Sequence, residues 1–173
     1  MSIITPSTLE TKRLTIRQFT QEDFDNVVSF IKGVTSTSFN QLFKTIIDSY
    51  QSQEKVISYA LVLKNNGDFL GFCGLNTLED IIPVELYYFL RPEYCGNGYA
   101  IESLRKIFEY AFSELELDKI IAYIDQRNTR GWKVAERSGM KYMGNVFRKD
   151  TDLNKKSMFF LIDKNDYYNQ FKV

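Results

Sequence analysis

The segment from Glu85 to Ala100 contains the residues whose types and spacing are most informative about chemistry. An aromatic and aliphatic run ends near Arg91, and Gly96 and Gly98 follow it just before a long amphipathic pattern. Glycines at a junction of strand and helix let a bulky anion approach the backbone, because they carry no Cβ. The backbone N–H groups at the start of the helix can then bind a phosphate. The pattern indicates either an anion-binding loop or only a tight connection between two elements.

Two common nucleotide-binding motifs do not fit this loop. A dinucleotide fingerprint requires a third glycine where Ile101 stands. A nucleoside-triphosphate loop requires the triplet Gly-Lys-Ser/Thr, which the sequence lacks. A phosphate bound here would therefore belong to another kind of ligand.

The composition excludes several classes of chemistry. The chain has 173 residues and no histidine, which rules out Ser-His-Asp and Cys-His mechanisms and histidine-ligated zinc. Cys73 and Cys95 are too few for a thiolate zinc site or a disulfide framework, so we expect no metal. Acid–base catalysis must use carboxylates, tyrosine, lysine, cysteine or water.

Charge and hydropathy also restrict the partners. Lys plus Arg and Asp plus Glu are both 22, and this balance argues against a dedicated nucleic-acid binder. The N-terminus does not resemble a signal peptide, and no apolar run approaches the ~20 residues that span a membrane. We expect a cytoplasmic protein whose residues 1–173 form a single domain.

Hydrophobic periodicity predicts a mixed α/β sheet with helices on both faces. The predicted strands are Thr11–Phe19, Val56–Leu63, Phe69–Leu75, Pro83–Arg91, Lys119–Ile124, Met140–Phe147 and Ser157–Ile162. The predicted helices are Thr20–Gly33, Ser38–Tyr50, a long helix after Gly98, and Asn128–Ser138. The sequence Asn65-Asn-Gly-Asp68 predicts a hairpin turn between the second and third strands.

Three motifs in order along the chain resemble one known family. Residues 95–100, Cys-Gly-Asn-Gly-Tyr-Ala, resemble the loop Gln/Arg-x-x-Gly-x-Gly/Ala. Residues 9–17 resemble the family's N-terminal signature, and Asn128 followed by residues 134–140 resembles its later motif. The family is the GNAT superfamily of acetyl-CoA-dependent N-acetyltransferases, and the resemblance is to its ribosomal-protein alanine N-acetyltransferase branch.

The resemblance implies a single-domain GNAT fold, with a mostly antiparallel sheet of about six to seven strands and one splayed parallel pair. Acetyl-CoA would be the cosubstrate, its pantetheine lying between the splayed strands against the peptide units near Phe89 and Leu90. The N–H of Leu90 would polarise the thioester carbonyl. Asn128 would complete the pantetheine wall, although Asn is also a favoured helix N-cap. The residues implied to hold the pyrophosphate are Cys95, Gly96, Asn97, Gly98, Tyr99 and Ala100.

The sequence departs from the family pattern at residues that bear on catalysis. Cys95 stands where the family usually has Gln or Arg. Gly131 and Ala135 occupy places where relatives carry Ser or Tyr to protonate the leaving thiolate, and neither can donate a proton. We therefore consider Tyr142, and after it Tyr123, as the acid.

Glu85 is the candidate general base, because it lies on the strand that leads into the loop; the alternative is a surface acid. The expected reaction is acetyl transfer from acetyl-CoA to a primary amine, either a protein N-terminus or a small molecule, by direct attack on the thioester. A CoA-binding sensor without catalysis, or a transferase for another acyl group, is the alternative. Monomer and homodimer both stay open.

Overall fold

We describe the protein from a computed structural model, which describes residues 6–29, 36–50, 56–76, 83–147 and 156–171. In these ranges an eight-stranded sheet is accompanied by five helices. The strands are β1 (Thr8–Glu10), β2 (Leu14–Arg17), β3 (Val56–Leu63), β4 (Phe69–Asn76), β5 (Val84–Leu90), β6 (Lys119–Asp125), β7 (Lys141–Phe147) and β8 (Lys156–Asp163). The helices are α1 (Asp23–Val28), α2 (Ser36–Ser49), α3 (Tyr99–Ser113), α4 (Thr129–Arg137) and α5 (Lys164–Phe171).

The strands are arranged in the order β1-β2-β3-β4-β5-β6-β8-β7. Every neighbouring pair is antiparallel except β5 and β6, which run parallel. This confirms the predicted mixed sheet with a single parallel pair. Such a pair requires a crossover connection, and α3 supplies it.

The strand count is eight rather than six to seven because a short strand precedes the first predicted one. The Thr11 side chain accepts a hydrogen bond from the Leu14 N–H at 2.9 Å and turns the chain, so that β1 pairs with β2. Three residues are too few to show a period-2 pattern. The sequence analysis also missed α5, whose Tyr167 is buried in the main core.

Helices cover both faces of the sheet, as predicted. Successive residues of a strand point to opposite faces, and on β3 Leu61 and Ala60 belong to two separate buried clusters. The Leu61 cluster includes residues of α3, α4 and α5, and we call this side the α3 face. The Ala60 cluster includes residues of α1 and α2, and we call this side the α1 face.

The helix predicted over Thr20–Gly33 is shorter at its start. In the structure α1 begins at Asp23, and Gly33 lies outside the described residues. Asp23 is almost fully buried and its carboxylate binds the Arg17 guanidinium at 2.6 Å, which anchors α1 to β2. The Thr20 N–H donates to the same carboxylate at 2.8 Å.

Among the helices of the described ranges, none combines the length and the hydrophobicity that a membrane-spanning helix requires.

Candidate active site

The central feature of the site is the gap between β5 and β6. In the described chain these strands pair only at Val84 with Ile120 and at Glu85 with Ile121. Beyond those pairs β5 continues along β4, and β6 continues along β8. The result is a gap with Glu85 at its closed end, which is the splayed pair that the sequence predicts.

The register between β4 and β5 decides which backbone groups point into the gap. The Arg91 N–H donates to the Leu70 carbonyl at 2.8 Å, and hydrogen-bonded and non-hydrogen-bonded pairs alternate along an antiparallel ladder. Leu90, opposite Gly71, is therefore in a non-hydrogen-bonded pair, and its N–H points away from β4 towards the gap. The N–H of Phe89 points towards β4. The contact between Phe89 and pantetheine stays a prediction. Because the Phe89 N–H points towards β4, this N–H is not placed to make that contact.

The glycine loop, residues 95–100, joins β5 to α3. Gly96 has φ +86° and Gly98, the residue that precedes α3, has φ +79°, a conformation that L side chains rarely adopt. A Cβ at Gly96 would meet no atom within 4 Å, so the space beside the loop is open. The first N–H groups of α3, at Tyr99 and Ala100, have no carbonyl one turn earlier within the helix. The loop thus has the open backbone donors that an anion such as a pyrophosphate requires.

Arg13 holds the glycine loop in place from the N-terminal part of the chain. Its Nε binds the Glu102 carboxylate at 2.7 Å, and its Nη1 donates to the Asn97 carbonyl at 3.0 Å. Its guanidinium also lies over the Tyr99 ring, 4.4 Å from the centroid. A Cβ at Gly98 would be 3.5 Å from Nη2. We call Arg13 and its contacts with Glu102, Asn97 and Tyr99 the brace. The brace places a positive charge beside the loop. These contacts were not predicted from the sequence, although Arg13 lies in the N-terminal signature.

Glu102 is the charged partner on which the brace depends. Burial by itself would raise the pKa of this carboxyl, but hydrogen bonds from the Thr11 hydroxyl and from the Arg13 N–H and side chain outweigh it, and the pKa is lowered. Glu102 is therefore ionised at neutral pH, and Arg13 is held by a full negative charge.

Asn128 and Gly131 form the start of α4 on the other side of the gap. The Asn128 side chain accepts a hydrogen bond from the Gly131 N–H at 2.9 Å, which confirms the N-cap alternative. Asn128 is exposed, and its role in the pantetheine wall stays a prediction. A Cβ at Gly131 would come within 2.5 Å of the Asn128 amide nitrogen, so a serine there would require the cap to shift. Ala135 is fully buried in the core.

Tyr88 connects the two sides of the gap on the α3 face. Its hydroxyl donates to the Gly131 carbonyl at 2.7 Å and so joins β5 to α4. Burial raises the pKa of Tyr88, which keeps the phenol neutral. The sequence analysis missed this residue because one tyrosine among 11 carries no distinguishing pattern.

The predicted acid–base residues occupy different faces. Glu85 is half-buried on the α1 face, and Tyr123 lies on the same face of β6, two residues beyond the last β5–β6 pair. Tyr142 lies on β7, two strands away from β6, with its ring 5.6 Å from Phe160 on the α3 face. The structure therefore places Glu85 and Tyr123 on one face of neighbouring strands and Tyr142 on the other face, and the acid roles of both tyrosines stay predictions.

Cys95 contributes no strong side-chain contact to the loop. Its Sγ lies 3.5 Å from the Arg91 carbonyl, and the thiol is free and partly exposed.

Among the described residues, no three Cys, Asp or Glu side chains converge as the ligands of a metal ion would.

Residues 13–141 match the family model of the acetyltransferase (GNAT) domain. The match spans well over half of the chain, and the chain therefore belongs to this family.

Particular relatives agree with that assignment. Over 161 residues the chain is 29% identical to the uncharacterised N-acetyltransferase YnaD of Bacillus subtilis, covering 82% of this chain and 86% of YnaD. It is 38% identical to the B. subtilis protein YkkB over 81 residues, which cover 46% of this chain and 47% of YkkB. The structure of a ribosomal-protein-S5-alanine acetyltransferase from Vibrio fischeri has a TM-score of 0.75 at 16% identity, covering 94% of this chain and 99% of that chain. That likeness concerns the fold alone.

Proposed function

We propose that this protein transfers an acetyl group from acetyl-CoA to a primary amine by direct attack of the amine on the thioester. One observation carries the proposal: a single continuous segment contains both halves of a donor site. The Leu90 N–H points into the gap, and the glycine loop with its open donors begins a few residues later. A ligand with a phosphate at one end and an extended amide chain at the other matches that arrangement.

The backbone and Arg13 would hold the donor. The residues of the glycine loop, with the positive end of α3, would bind the pyrophosphate, and Arg13 would keep the loop in its binding conformation. The gap would take the pantetheine, with Asn128 on the α4 side. Acetyl-CoA, when bound, supplies an acetyl group activated as a thioester, and the Leu90 N–H would stabilise negative charge on its carbonyl oxygen.

The amine would attack from the α1 face, where Glu85 lies. An amine is mostly protonated at neutral pH, so it must lose a proton before or during the attack. Glu85 would accept that proton directly or through water as the new C–N bond forms and the C–S bond breaks. The thiolate would then take a proton from Tyr123, from Tyr142 or from water. Positioning both substrates in one cleft supplies much of the rate.

Thermal unfolding in the presence of acetyl-CoA, followed by thiol release with a panel of amines, tests this function. At ~100 times the dissociation constant, binding adds about 2.7 kcal/mol to the free energy of unfolding. That gain corresponds to several degrees at ~2–4 °C per kcal/mol. If millimolar acetyl-CoA gives no shift while NAD or ATP does, the proposal is wrong.

A CoA-binding sensor is the second candidate, because Gly131 and Ala135 provide no hydroxyl on α4. The same pair of measurements separates the two functions. A sensor gains thermal stability with acetyl-CoA but releases no thiol with any amine.

A further inference from the structure

Two stacked aromatic pairs flank the gap on the α1 face. Phe72 of β4 and Phe89 of β5 are directly paired, with ring centroids 5.8 Å apart and ring planes 15° from parallel. Tyr123 of β6 and Phe159 of β8 are also directly paired, with centroids 5.3 Å apart and planes 22° from parallel. The first pair lies on the β5 side of the gap, and the second lies on the β6 side.

Both pairs leave ring surface accessible. Phe89 is 39% exposed, which is unusual for a phenylalanine in an inner strand. The other three rings are partly exposed. These four rings flank the gap as two pairs on the α1 face, and we call them the aromatic ledge.

Tyr87 provides the floor beside the ledge. Its ring lies so close to Gly74 that a Cβ at that glycine would be 2.3 Å from the Tyr87 hydroxyl. The hydroxyl forms a hydrogen bond with the Ser58 side chain in β3. This bond holds the ring flat across β4, and Gly74 gives it the room to lie there. The floor is therefore apolar and fixed in position.

The charges near the ledge suit a single cationic group. Glu85 lies on the same face of β5 as Phe89, at the closed end of the gap. Asp125, on the same face of β6, is bound by the Arg127 guanidinium at 2.8 Å. Glu85 and Asp125 are the two carboxylates among the described residues of β5 and β6 on this face. A polycation would require more negative charges to bind here.

The direction of approach follows from packing. Opposite the ledge, on the α3 face, Leu86 is buried in the main core and Tyr88 extends to α4. These packed side chains obstruct the α3 face, whereas Phe89 is exposed on the α1 face, and this favours approach of an acceptor over the ledge.

We infer that the acceptor is a primary amine carried on a flat apolar group, which stacks on the aromatic ledge of Phe72, Phe89, Tyr123 and Phe159 while its nitrogen points to Glu85. The inference rests on the proposed function and names the acceptor class for it. Flat rings stack favourably on aromatic faces, and an ammonium is attracted to the same faces.

A matched set of amines tests the inference. The acceptors are 2-phenylethylamine, 2-cyclohexylethylamine and spermidine, of which the first two share size and linker but differ in flatness. We expect kcat/KM to be highest for 2-phenylethylamine. Phe159→Leu should lower its value about three- to tenfold, corresponding to one aromatic contact, with little change for 2-cyclohexylethylamine. The KM for acetyl-CoA should stay unchanged.

Phe147→Leu is the matched control, because Phe147 is an aromatic residue of edge strand β7 and 69% exposed, away from the gap. It should leave the amine preference unchanged. Equal kcat/KM for the flat and the puckered amine, or a preference for spermidine, overturns the inference.

Amine binding measured by saturation-transfer NMR in the presence of CoA keeps the two proposals separate. If 2-phenylethylamine binds wild type more tightly than Phe159→Leu but is not acetylated, the acceptor class stands and the transfer reaction falls. If acetyl-CoA stabilises the protein and other amines are acetylated, but 2-phenylethylamine does not bind, the function stands and the acceptor class is overturned. If neither acetyl-CoA nor any of the three amines binds, both are overturned.

Discussion

The proposed donor side and the proposed acceptor side of the gap are built in different ways. The donor side is a run of neighbouring residues, the glycine loop, that presents backbone groups. The acceptor side is a surface of aromatic side chains from β4, β5, β6 and β8. A backbone site requires particular conformations at a few glycines, whereas a side-chain site requires the correct register between separate strands. The first can be read from a motif, and the second depends on the folded sheet.

The two sides are also fastened by different arginines. Arg13 joins the glycine loop to the turn before β2 through Glu102. Arg91, at the end of β5, donates to the Asn26 side chain at 3.2 Å and so ties the sheet to α1 on the acceptor side. Changes to one set of contacts should affect one substrate and leave the other unaffected. The predictions below test that separation.

The largest effect is expected at Gly98. A valine there would strain a residue at φ +79° and add bulk to the loop. We therefore expect the affinity for acetyl-CoA to fall at least about 100-fold, which corresponds to ~2.7 kcal/mol of binding free energy. Gly67→Val in the hairpin is a close control, because Gly67 has φ +77° and a Cβ there would meet no atom within 4 Å. Both variants should lose about 1–2 kcal/mol of stability. Calorimetric titration of the folded proteins should show weaker binding for Gly98→Val alone, and equal affinity would place the phosphate elsewhere.

Glu85→Gln should affect turnover rather than donor binding. Removing a general base lowers the rate by roughly 100-fold, and higher pH should restore part of it by deprotonating the free amine. Steady-state kinetics across pH measure both effects, with Glu136→Gln on the exposed side of α4 as the control. Unchanged turnover would make Glu85 an ordinary surface acid.

Arg13→Met should weaken the donor side without changing the chemistry. We expect the KM for acetyl-CoA to rise about tenfold, because the variant loses two charge-assisted hydrogen bonds of a partly exposed pair. The value of kcat should change little. Lys106→Met removes another surface ion pair of α3, with Glu109, and should leave both parameters unchanged. If Arg13→Met instead lowers kcat alone, Arg13 does not act through the loop.

Tyr88→Phe should produce a smaller effect that reaches both sides. It removes the hydrogen bond to the Gly131 carbonyl, which joins β5 to α4. The expected loss is about 1 kcal/mol of stability. Urea denaturation measures it, and Tyr142→Phe on the edge strand is the comparison. Equal stability of wild type and Tyr88→Phe would mean that the two sides of the gap are held together by packing alone.

The smallest predicted effect is a pH dependence of the brace. The pKa of Glu102 is lowered below its ordinary value of 4.5, so its contribution to stability is present above that value and is lost as the pH falls through the lowered pKa. The stability difference between wild type and Glu102→Gln should therefore be constant from about pH 7 to pH 5 and shrink in more acidic solution. Denaturation at several pH values measures this difference. A difference that stays constant down to pH 3 would show that the ionised carboxylate is not what stabilises the brace.

The order of the main elements and the position of the glycine loop were predictable from the sequence alone. Alternation and apolar runs predicted β2 to β8, and helical spacing predicted α2 to α4. The loop was predictable because only glycine readily takes a positive φ, so Gly96 and Gly98 mark the conformation directly. The absence of histidine likewise limited the chemistry without any structure.

Contacts between residues that are distant in the sequence became visible only in the folded structure. Arg13 and Glu102 are far apart in sequence, and β1 and α5 are too short or too weakly patterned to be predicted. The separation of Tyr142 from Glu85, the contact of Tyr88 with α4, and the stacking of Phe89 on Phe72 all follow from strand order and register. A shift of one residue in that register would turn Phe89 to the other face. The aromatic ledge therefore depends on how separate strands pair, and it has no local sequence signature.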